Sequence, residues 1–335
     1  MVETEKRKSE AEAPLVTFAL FAYNQEQYIR EAIEGAFSQD YENLEIILSD
    51  DCSTDNTFKI MEECAATYSG PHRVVINRNS RNLNVAGHFN VVAEMSKGEL
   101  LIASAGDDIS FPERSKAITE EWQRNGKCSI AIYSDFIPVD SESNVVSDFA
   151  ENVFRGTITL EDAAKGGLHV LGATAAYSMD LFTSFPKINS DVRHEDRVLP
   201  FRALLMSGAC CLVDEKLVQY RVEGGVSRGK PNDGRDYVFE YTQSRLARVI
   251  PDARQRLCDL YHKEKKGANS IALAANFLLE QETILDLSRA EGLAVELVFI
   301  KAFLKLGFNK AILSFYIKRR FVFVYNLYYG FRFSH

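Results

Sequence analysis

Adjacent carboxylates recur in this sequence where apolar runs stop. Asp107-Asp108 follows Leu100–Ser104 and two small residues, Ala105 and Gly106. Two hard oxygen donors side by side suit Mg²⁺ or Mn²⁺, which one or two carboxylates typically hold while phosphate oxygens and water complete the shell. The same pair also suits a turn before a helix, because Pro112 and Glu113 follow as a helix start would. Asp50-Asp51-Cys52-Ser53-Thr54-Asp55 stands after a second apolar run. A carboxylate there can accept from the imide N–H of a base or from a ribose hydroxyl. Ser53 and Asp55 can equally cap the next helix. Paired acids also mark receiver-type phosphorylation pockets, but that small fold would end well before the acids at 195 and 196.

Glu195-Asp196, within Arg193-His194-Glu195-Asp196-Arg197, precedes the apolar stretch Val198–Met206. Acids at a helix start are ordinary, since the dipole favours them; a carboxylate so placed can also take a proton from an attacking hydroxyl. His194 reads as a polar neighbour and not as a metal ligand. Tyr220-Arg221-Val222-Glu223-Gly224-Gly225-Val226-Ser227 follows the strand-like Lys216–Gln219. Its glycine pair makes a flexible turn able to close over phosphates.

The elements that must position these residues alternate. Leu15–Ala22, Glu45–Leu48, Arg73–Ile76 and Leu100–Ser104 have the length and apolarity of buried strands. Between them Gln25–Ser38, Thr57–Tyr68 and Val85–Ser96 carry apolar residues at helical spacing. Strands alternating with helices predict a mostly parallel sheet covered on both faces, with ligands beyond the carboxyl ends of the strands. Both Asp pairs fall there. After about Gly229 the texture changes to long helical stretches, Asp236–Ile250 and Ala268–Ser288, and a boundary is expected near Lys230-Pro231-Asn232-Asp233-Gly234.

The chain has 335 residues, 46% hydrophobic and 26% charged, enough for one large core with an appendage. A net charge of −8 argues against nucleic acid as a partner. From Glu296 onward, however, Lys301, Lys305, Lys310, Lys318, Arg319, Arg320 and Arg332 face almost no acid, so the basic end is expected to have its own partner. Phe299, Phe303, Phe308, Phe315, Phe321, Phe323, Tyr325, Tyr328 and Phe331 alternate with them, the composition of a segment that docks on an anionic membrane surface. Packing on the catalytic body, or on a second copy in a homo-oligomer, is the other use of such a stripe. Residues 1–13 read as a charged, disordered leader without a signal-peptide core. No uninterrupted apolar run is long enough for a clear membrane span. The six cysteines show no C-x-x-C pair, so a zinc site is not expected and a reducing cytoplasm is the simplest compartment.

Taken together, Ala22-Tyr23-Asn24, Asp50-Asp51-Cys52-Ser53-Thr54-Asp55, Gly106-Asp107-Asp108 with Pro112-Glu113-Arg114, Glu195-Asp196 and Tyr220-Arg221 resemble, in order and approximate spacing, the family-2 glycosyltransferases of bacterial cell-surface polysaccharide type. The resemblance covers about residues 14–230. It implies a GT-A fold, an α/β architecture with a mixed, mostly parallel sheet, followed here by a helical region over 231–335. It implies that Tyr23, Asn24 and Asp51 line the base pocket with Asp50 in support, that Asp107 lies near the ribose, and that Asp108 binds Mn²⁺ or Mg²⁺. Asp196 matches the general base, with Glu195 its neighbour. Gly172-Ala173-Thr174 resembles the segment under the transferred sugar, and Arg221 belongs to the donor site.

Two departures bear on the metal. Ala105 stands where the family often has an acid, and Glu223 where it usually has a His, so Glu223 is a metal ligand only if its oxygen replaces that nitrogen. Asn84 stands where Gly is common, tolerable because Asn adopts left-handed backbone. The activity implied is inverting transfer from a UDP- or dTDP-sugar to a hydroxyl of a glycan or lipid-linked glycan, at the cytoplasmic face of an inner membrane. A catalytically impaired sugar-nucleotide binding module and a nucleotidyltransferase are the alternatives; the latter would need a basic Gly-rich loop where Ala22-Tyr23-Asn24-Gln25 stands.

Overall fold

In a computed structural model of the chain, the described residues are 13–127, 131–147, 149, 153, 155–157, 159–167, 170–206, 210–222, 232–263, 268–322 and 325. Most of the expected leader, the loop holding Glu223 to Ser227, and the end beyond 325 lie outside them.

Eight strands form one sheet in the order β3-β2-β1-β4-β7-β6-β8-β5. They are β1 (Val16–Ala22), β2 (Leu44–Asp50), β3 (Arg73–Arg78), β4 (Leu100–Ala105), β5 (Ile109–Ser110), β6 (Ala131–Val139), β7 (Ala175–Ser178) and β8 (Cys210–Arg221). β1 pairs in parallel with β2 and β4, and β2 with β3. β7 runs antiparallel between β4 and β6, which makes the sheet mixed. All seven residues of β2 are buried, as a central strand covered on both faces requires.

Helices α1 (Ile29–Phe37), α2 (Thr57–Thr67) and α4 (Arg114–Arg124) cover one face. Ile29, Ile33, Met61, Ile118 and Trp122 meet Phe18, Leu20 and Ile46 there. The other face takes α3 (Asn84–Met95), the short α5 (Leu160–Ala164) and α6 (Asp180–Thr183), and α7 (Glu195–Met206), through Phe89, Val92, Val198 and Phe201. Gly172–Thr174 forms a 3-10 turn leading into β7.

After residue 231 come the one-turn α8 (Gly234–Asp236), a π-helical turn (Tyr237–Tyr241), α9 (Thr242–His262), α10 (Ala268–Arg289), α11 (Ala294–Leu306) and α12 (Lys310–Arg320). α9 continues through Pro251, twelve residues beyond the expected Ile250, because its buried face keeps packing through Ala253 and Leu260. Leu260 and Ala274 enter the same cluster as Phe89 and Phe201, so α9 and α10 pack on the helices of the sheet's second face. A separate apolar cluster of Leu246, Ile284, Leu287, Val295, Ala302, Ile312 and Phe315 joins the later helices to one another.

Candidate active site

The parallel register brings the two Asp pairs to one edge. Ala22 sits beside Asp50, and Phe21 beside Ala105. Past these last pairs the chains stay tied: Asp51 N–H donates to the Ala22 carbonyl at 2.9 Å, and Gly106 N–H to the Phe21 carbonyl at 2.9 Å. Gly106 cannot carry a side chain here, since a Cβ would lie 2.6 Å from Gln25 Oε1 and 2.9 Å from the Ala22 Cβ.

Asp50 is fully buried. Its Oδ2 accepts Ser53 N–H at 2.9 Å and faces Arg78 Nε at 3.4 Å, which closes the tight turn where Cys52 adopts φ 65°. Asp51 Oδ1 accepts Asn79 Nδ2 at 2.8 Å, and Leu83 N–H is shared between Oδ1 at 2.9 Å and Oδ2 at 3.0 Å, which leaves one lone pair on Oδ2. It lines a cleft of about 380 Å³ together with Phe21, Tyr23, Gln25, Asn82, Asn84, Val85, His88 and Phe89. Tyr23 is half exposed at the mouth. Asn24, at φ 53°, ties the loop to the second acidic turn: its N–H donates to Ser53 Oγ, and its Oδ1 accepts Thr54 N–H, both at 2.8 Å. Asn84 adopts φ 59°, the left-handed backbone its side chain tolerates.

His88 was not singled out in the sequence. It stands one helical turn into α3, its Nε2 2.6 Å from Ser49 Oγ and its ring edge-on to Phe21. Burial lowers its pKa to about 4, against the pull of Asp51 and Asp50, so the cleft wall is a neutral imidazole at physiological pH.

Asp108 is buried, with Oδ1 accepting Arg221 N–H at 2.8 Å. Burial pushes its carboxyl well above the usual carboxylate range and the charge of Asp107 adds to the rise; Arg221 and Arg114 oppose it. Asp107 is raised as well, by burial, with the Gln25 side chain and Arg221 opposing. The short antiparallel pairing of β5 with β8 is what delivers Arg221 to this turn. The Arg221 guanidinium points inward: Nε donates to the Asp107 carbonyl at 3.0 Å, and the terminal nitrogens reach the Asp140 carbonyl at 2.7 Å and Glu31 at 3.1 Å. It lies over the Tyr28 ring and is 1% exposed. Its donors thus tie the Asp107-Asp108 turn to Asp140, Ser143 and Glu31. Arg114, fully buried, links β4 to the Gly172–Thr174 turn by donating to the carbonyls of Ala103 at 2.7 Å and Ala173 at 2.9 Å.

That segment touches the acid pair of α7. A Cβ on Gly172 would meet Glu195 Oε1 at 2.3 Å and Asp196 Cβ at 3.4 Å, so only glycine allows this approach. Thr174 is buried and donates to the Leu171 carbonyl, fixing the turn. Glu195 is buried; burial first, then Asp196 and Asp252, push its carboxyl well above the ordinary range. Tyr220 connects the groups: its hydroxyl is pushed up to about 12 by burial, then by Asp108, Asp107 and Asp196. One side chain therefore feels carboxylates separated by about ninety residues of sequence.

The start of α7 is held from outside the sheet. Asp252, on α9 and 1% exposed, accepts His194 Nδ1–H at 2.6 Å and Arg193 N–H at 3.1 Å. His194, Arg193 and Arg248 form the far wall of the Asp51 cleft. His194 is thus the oriented neighbour its position suggested, while Asp252, a lone acid inside a helical pattern, gave no sequence signal. Among the described residues no group of three His, Cys, Asp or Glu side chains forms a metal cage. Glu223 lies outside the described residues.

A mixed sheet with acids at the ends of its parallel strands, and an acid pair on a helix facing them, defines the GT-A class of transferase fold. Solved structures agree. S. aureus TarS 1-349 in complex with UDP-GlcNAc superposes with a TM-score of 0.54 at 16% identity, over 91% of each chain. The Pyrobaculum calidifontis mannosyltransferase PcManGT, in complex with GDP-Man and Mn²⁺, gives 0.52 at 17% identity, over 94% of this chain and 87% of that one. In sequence, EpsE of Bacillus subtilis is 39% identical over 101 residues, which is 30% of this chain and 36% of that protein. The succinoglycan biosynthesis protein ExoO of Rhizobium meliloti is 25% identical over 297 residues, 85% of this chain and 81% of that one. Residues 17–184 match the profile of Glycosyl transferase family 2, half of the chain. The protein belongs to that family and is a glycosyltransferase.

Proposed function

We propose that the enzyme transfers a sugar from a UDP- or dTDP-sugar to a hydroxyl of a glycan or lipid-linked glycan, with inversion at the anomeric carbon and with Asp196 as base. The observation that carries this is a chain of contacts between the acid turns: Arg221 N–H on Asp108, Arg114 on the Ala103 and Ala173 carbonyls, and Gly172 against Glu195 and Asp196, with Asp51 lining a cleft at the same strand ends. The donor complexes of TarS and PcManGT, on the same fold, support a nucleotide-sugar as donor.

The base would enter between Tyr23 and Phe89, where the remaining lone pair of Asp51 accepts its imide N–H. Asn24 and Asp50 fix the loops on either side, and Asp107 stands toward the ribose. Gly172, Ala173 and Thr174 form the floor under the sugar. The acceptor hydroxyl is a poor nucleophile at neutral pH, so Asp196 takes its proton as it attacks. Glu195, pressed against Gly172 and kept toward its protonated form, sets the position of its neighbour. Arg221 acts through the Asp107-Asp108 turn.

The Asp107-Asp108 pair fits a divalent cation, because Asp108 is buried beside a half-buried Asp107 with one backbone N–H on Oδ1, and lost hydration raises both carboxyls, the conditions a hard cation relieves. Asp108 would be the direct ligand of Mn²⁺ or Mg²⁺, with Glu223 a second. When bound, such an ion supplies Lewis-acid stabilisation of the leaving diphosphate.

A screen of nucleotide-sugars with Mn²⁺ or Mg²⁺, read by thermal shift and then by donor hydrolysis, identifies the donor. Asp196→Asn should keep donor affinity while turnover falls by roughly 10²–10⁴-fold, the contribution of a positioned base. Glu195→Gln should cost less. Donor binding without turnover in the parent protein would instead make it a sugar-nucleotide binding module.

We also propose that the C-terminal helices dock on an anionic membrane, at the cytoplasmic face. Leu304 is 80% exposed and Phe308 75%, at the turn between α11 and α12, with Leu297, Ile300 and Phe303 beside them on α11. Lys301, Lys305 and Lys310 flank this apolar tip. Apolar side chains entering the headgroup boundary while lysines meet lipid phosphates is the pattern of an interfacial helix. No helix among the described residues is long and apolar enough to cross a bilayer.

A further inference from the structure

A second cavity, of about 460 Å³, opens where α7, α9, α10 and α12 meet. It shares no lining residue with the cleft of Asp51. Three cations converge on it from three helices: Arg197 on α7, Arg245 on α9 and Lys318 on α12. Each is half-buried, and none forms an ion pair with a described residue. The Arg197 Nε is shielded from water without a hydrogen-bond partner. The acid on the wall, Glu280, is engaged elsewhere: one oxygen accepts Asn309 Nδ2 at 2.7 Å and the other Gln281 Nε2 at 3.1 Å. Lys318 stands over the rings of Tyr237 at 5.0 Å and Tyr325 at 5.2 Å, which hold the ammonium without neutralising it.

Like charges gathered in a partly dehydrated cavity repel one another and lose solvation, an arrangement that is unfavourable unless an anion completes it. We propose that this cavity is a phosphate-binding site, separate from the donor cleft. Counting Glu280, the walls carry a net charge of +2, which a phosphate near −2 at neutral pH balances. Two guanidinium groups supply the planar forks that match phosphate oxygens, and the ammonium adds a point charge. The volume exceeds what a bare phosphate needs and falls within the roughly 300–1,000 Å³ of ordinary ligand sites. Val249, Phe277, Ile284 and Phe315 line the rest, so the phosphate carries an organic group with an apolar part. Arg197 directly follows Asp196, which puts the site on the helix that carries the proposed base, on the side that α12 closes.

Such a group could arrive on a lipid phosphate or as a free phosphate compound, and calorimetry on the full chain separates the two. Farnesyl diphosphate and inorganic pyrophosphate are titrated with UDP present to fill the donor cleft. The double variant Arg245→Gln, Lys318→Gln should bind both at least ~10-fold more weakly than the parent, since two charge-assisted partners are lost. Arg245→Lys, which keeps the charge, should retain most of the affinity. Tighter binding of the farnesyl compound than of pyrophosphate assigns the site to a lipid phosphate, and equal binding assigns it to free phosphates. Equal affinities of parent and double variant overturn the site, and so does an Arg245→Lys protein as weak as the double variant. UDP affinity, titrated separately, reports on the donor reading and is expected to be unchanged in every variant.

Discussion

Asp108 is held where ionising it is unfavourable, buried beside Asp107 with the backbone N–H of Arg221 donated to its carboxylate. A carboxyl raised in the folded state binds a proton that the unfolded chain has already released. Its stabilising contribution is therefore complete below the ordinary carboxylate pKa of about 4, and is lost as pH rises through the raised folded value. A divalent cation replaces the proton and reverses the loss. Mn²⁺ should consequently raise Tm more at pH 8 than at pH 5. Asp108→Asn should abolish that metal response, and in metal-free buffer should melt no lower than the parent, because the amide oxygen still accepts from Arg221. Differential scanning fluorimetry across pH measures both; an undiminished response to Mn²⁺ in the variant would remove Asp108 as ligand. The same residue scale explains Arg221, which the family resemblance puts in the donor site: its guanidinium donates to the Asp107 carbonyl, the Asp140 carbonyl, Glu31 and Ser143.

At the scale of elements, the position of the proposed base depends on a helix outside the family profile. α9 grips α7 twice. Asp252 holds Arg193 N–H and the His194 ring at its start, and Asp259 forms a two-point pair with Arg202 at its middle, Nε at 2.9 Å and a terminal nitrogen at 3.1 Å. Arg202 and Asp259 are both 1% exposed, and Arg202 also donates to the carbonyls of Leu181 and Pro186. Removing one member of a buried pair leaves the other charge uncompensated, which typically costs about 3–5 kcal/mol. Asp259→Ala should therefore lower unfolding stability by about that amount in urea titration. A loss within the error of the parent value would mean that α7 is positioned without α9. α9 also contributes Arg248 to the wall of the cleft that Asp51 lines.

The sequence has an acidic body and a basic end, and among the described residues several large exposed apolar side chains, Leu304 and Phe308 with them, lie together near the tip of that end. Leu304→Glu with Phe308→Glu puts two anions where the proposal needs hydrocarbon contact, and alters no buried position of the helical cluster. The parent protein should float with vesicles containing anionic lipid at low salt and detach as salt rises, since each surface lysine contributes about 1 kcal/mol that screening removes. The double variant should remain in the soluble fraction, with donor binding intact. Flotation of the variant equal to the parent would leave the exposed tip to a second copy of the chain.

Periodicity and breakers in the sequence were enough to determine the strand and helix alternation up to Leu100–Ala105, because those elements are covered on both faces and each obeys its own period. They also placed Asp50-Asp51 and Asp107-Asp108 at strand ends. The motif order carried the family, and the family profile bears that out over residues 17–184. β5 and β7 gave no signal: a two-residue strand and a four-residue one exist only because β8, β4 and β6 offer partners. Nor could the sequence show that Asp252 orients His194, that Arg221 turns inward, or that Arg197, Arg245 and Lys318 meet in one cavity. Local patterns report which face of an element is buried, whereas these contacts depend on which distant element covers that face: β5 beside β8 for Arg221, α9 against α7 for His194, and the meeting of α7, α9, α10 and α12 for the cavity.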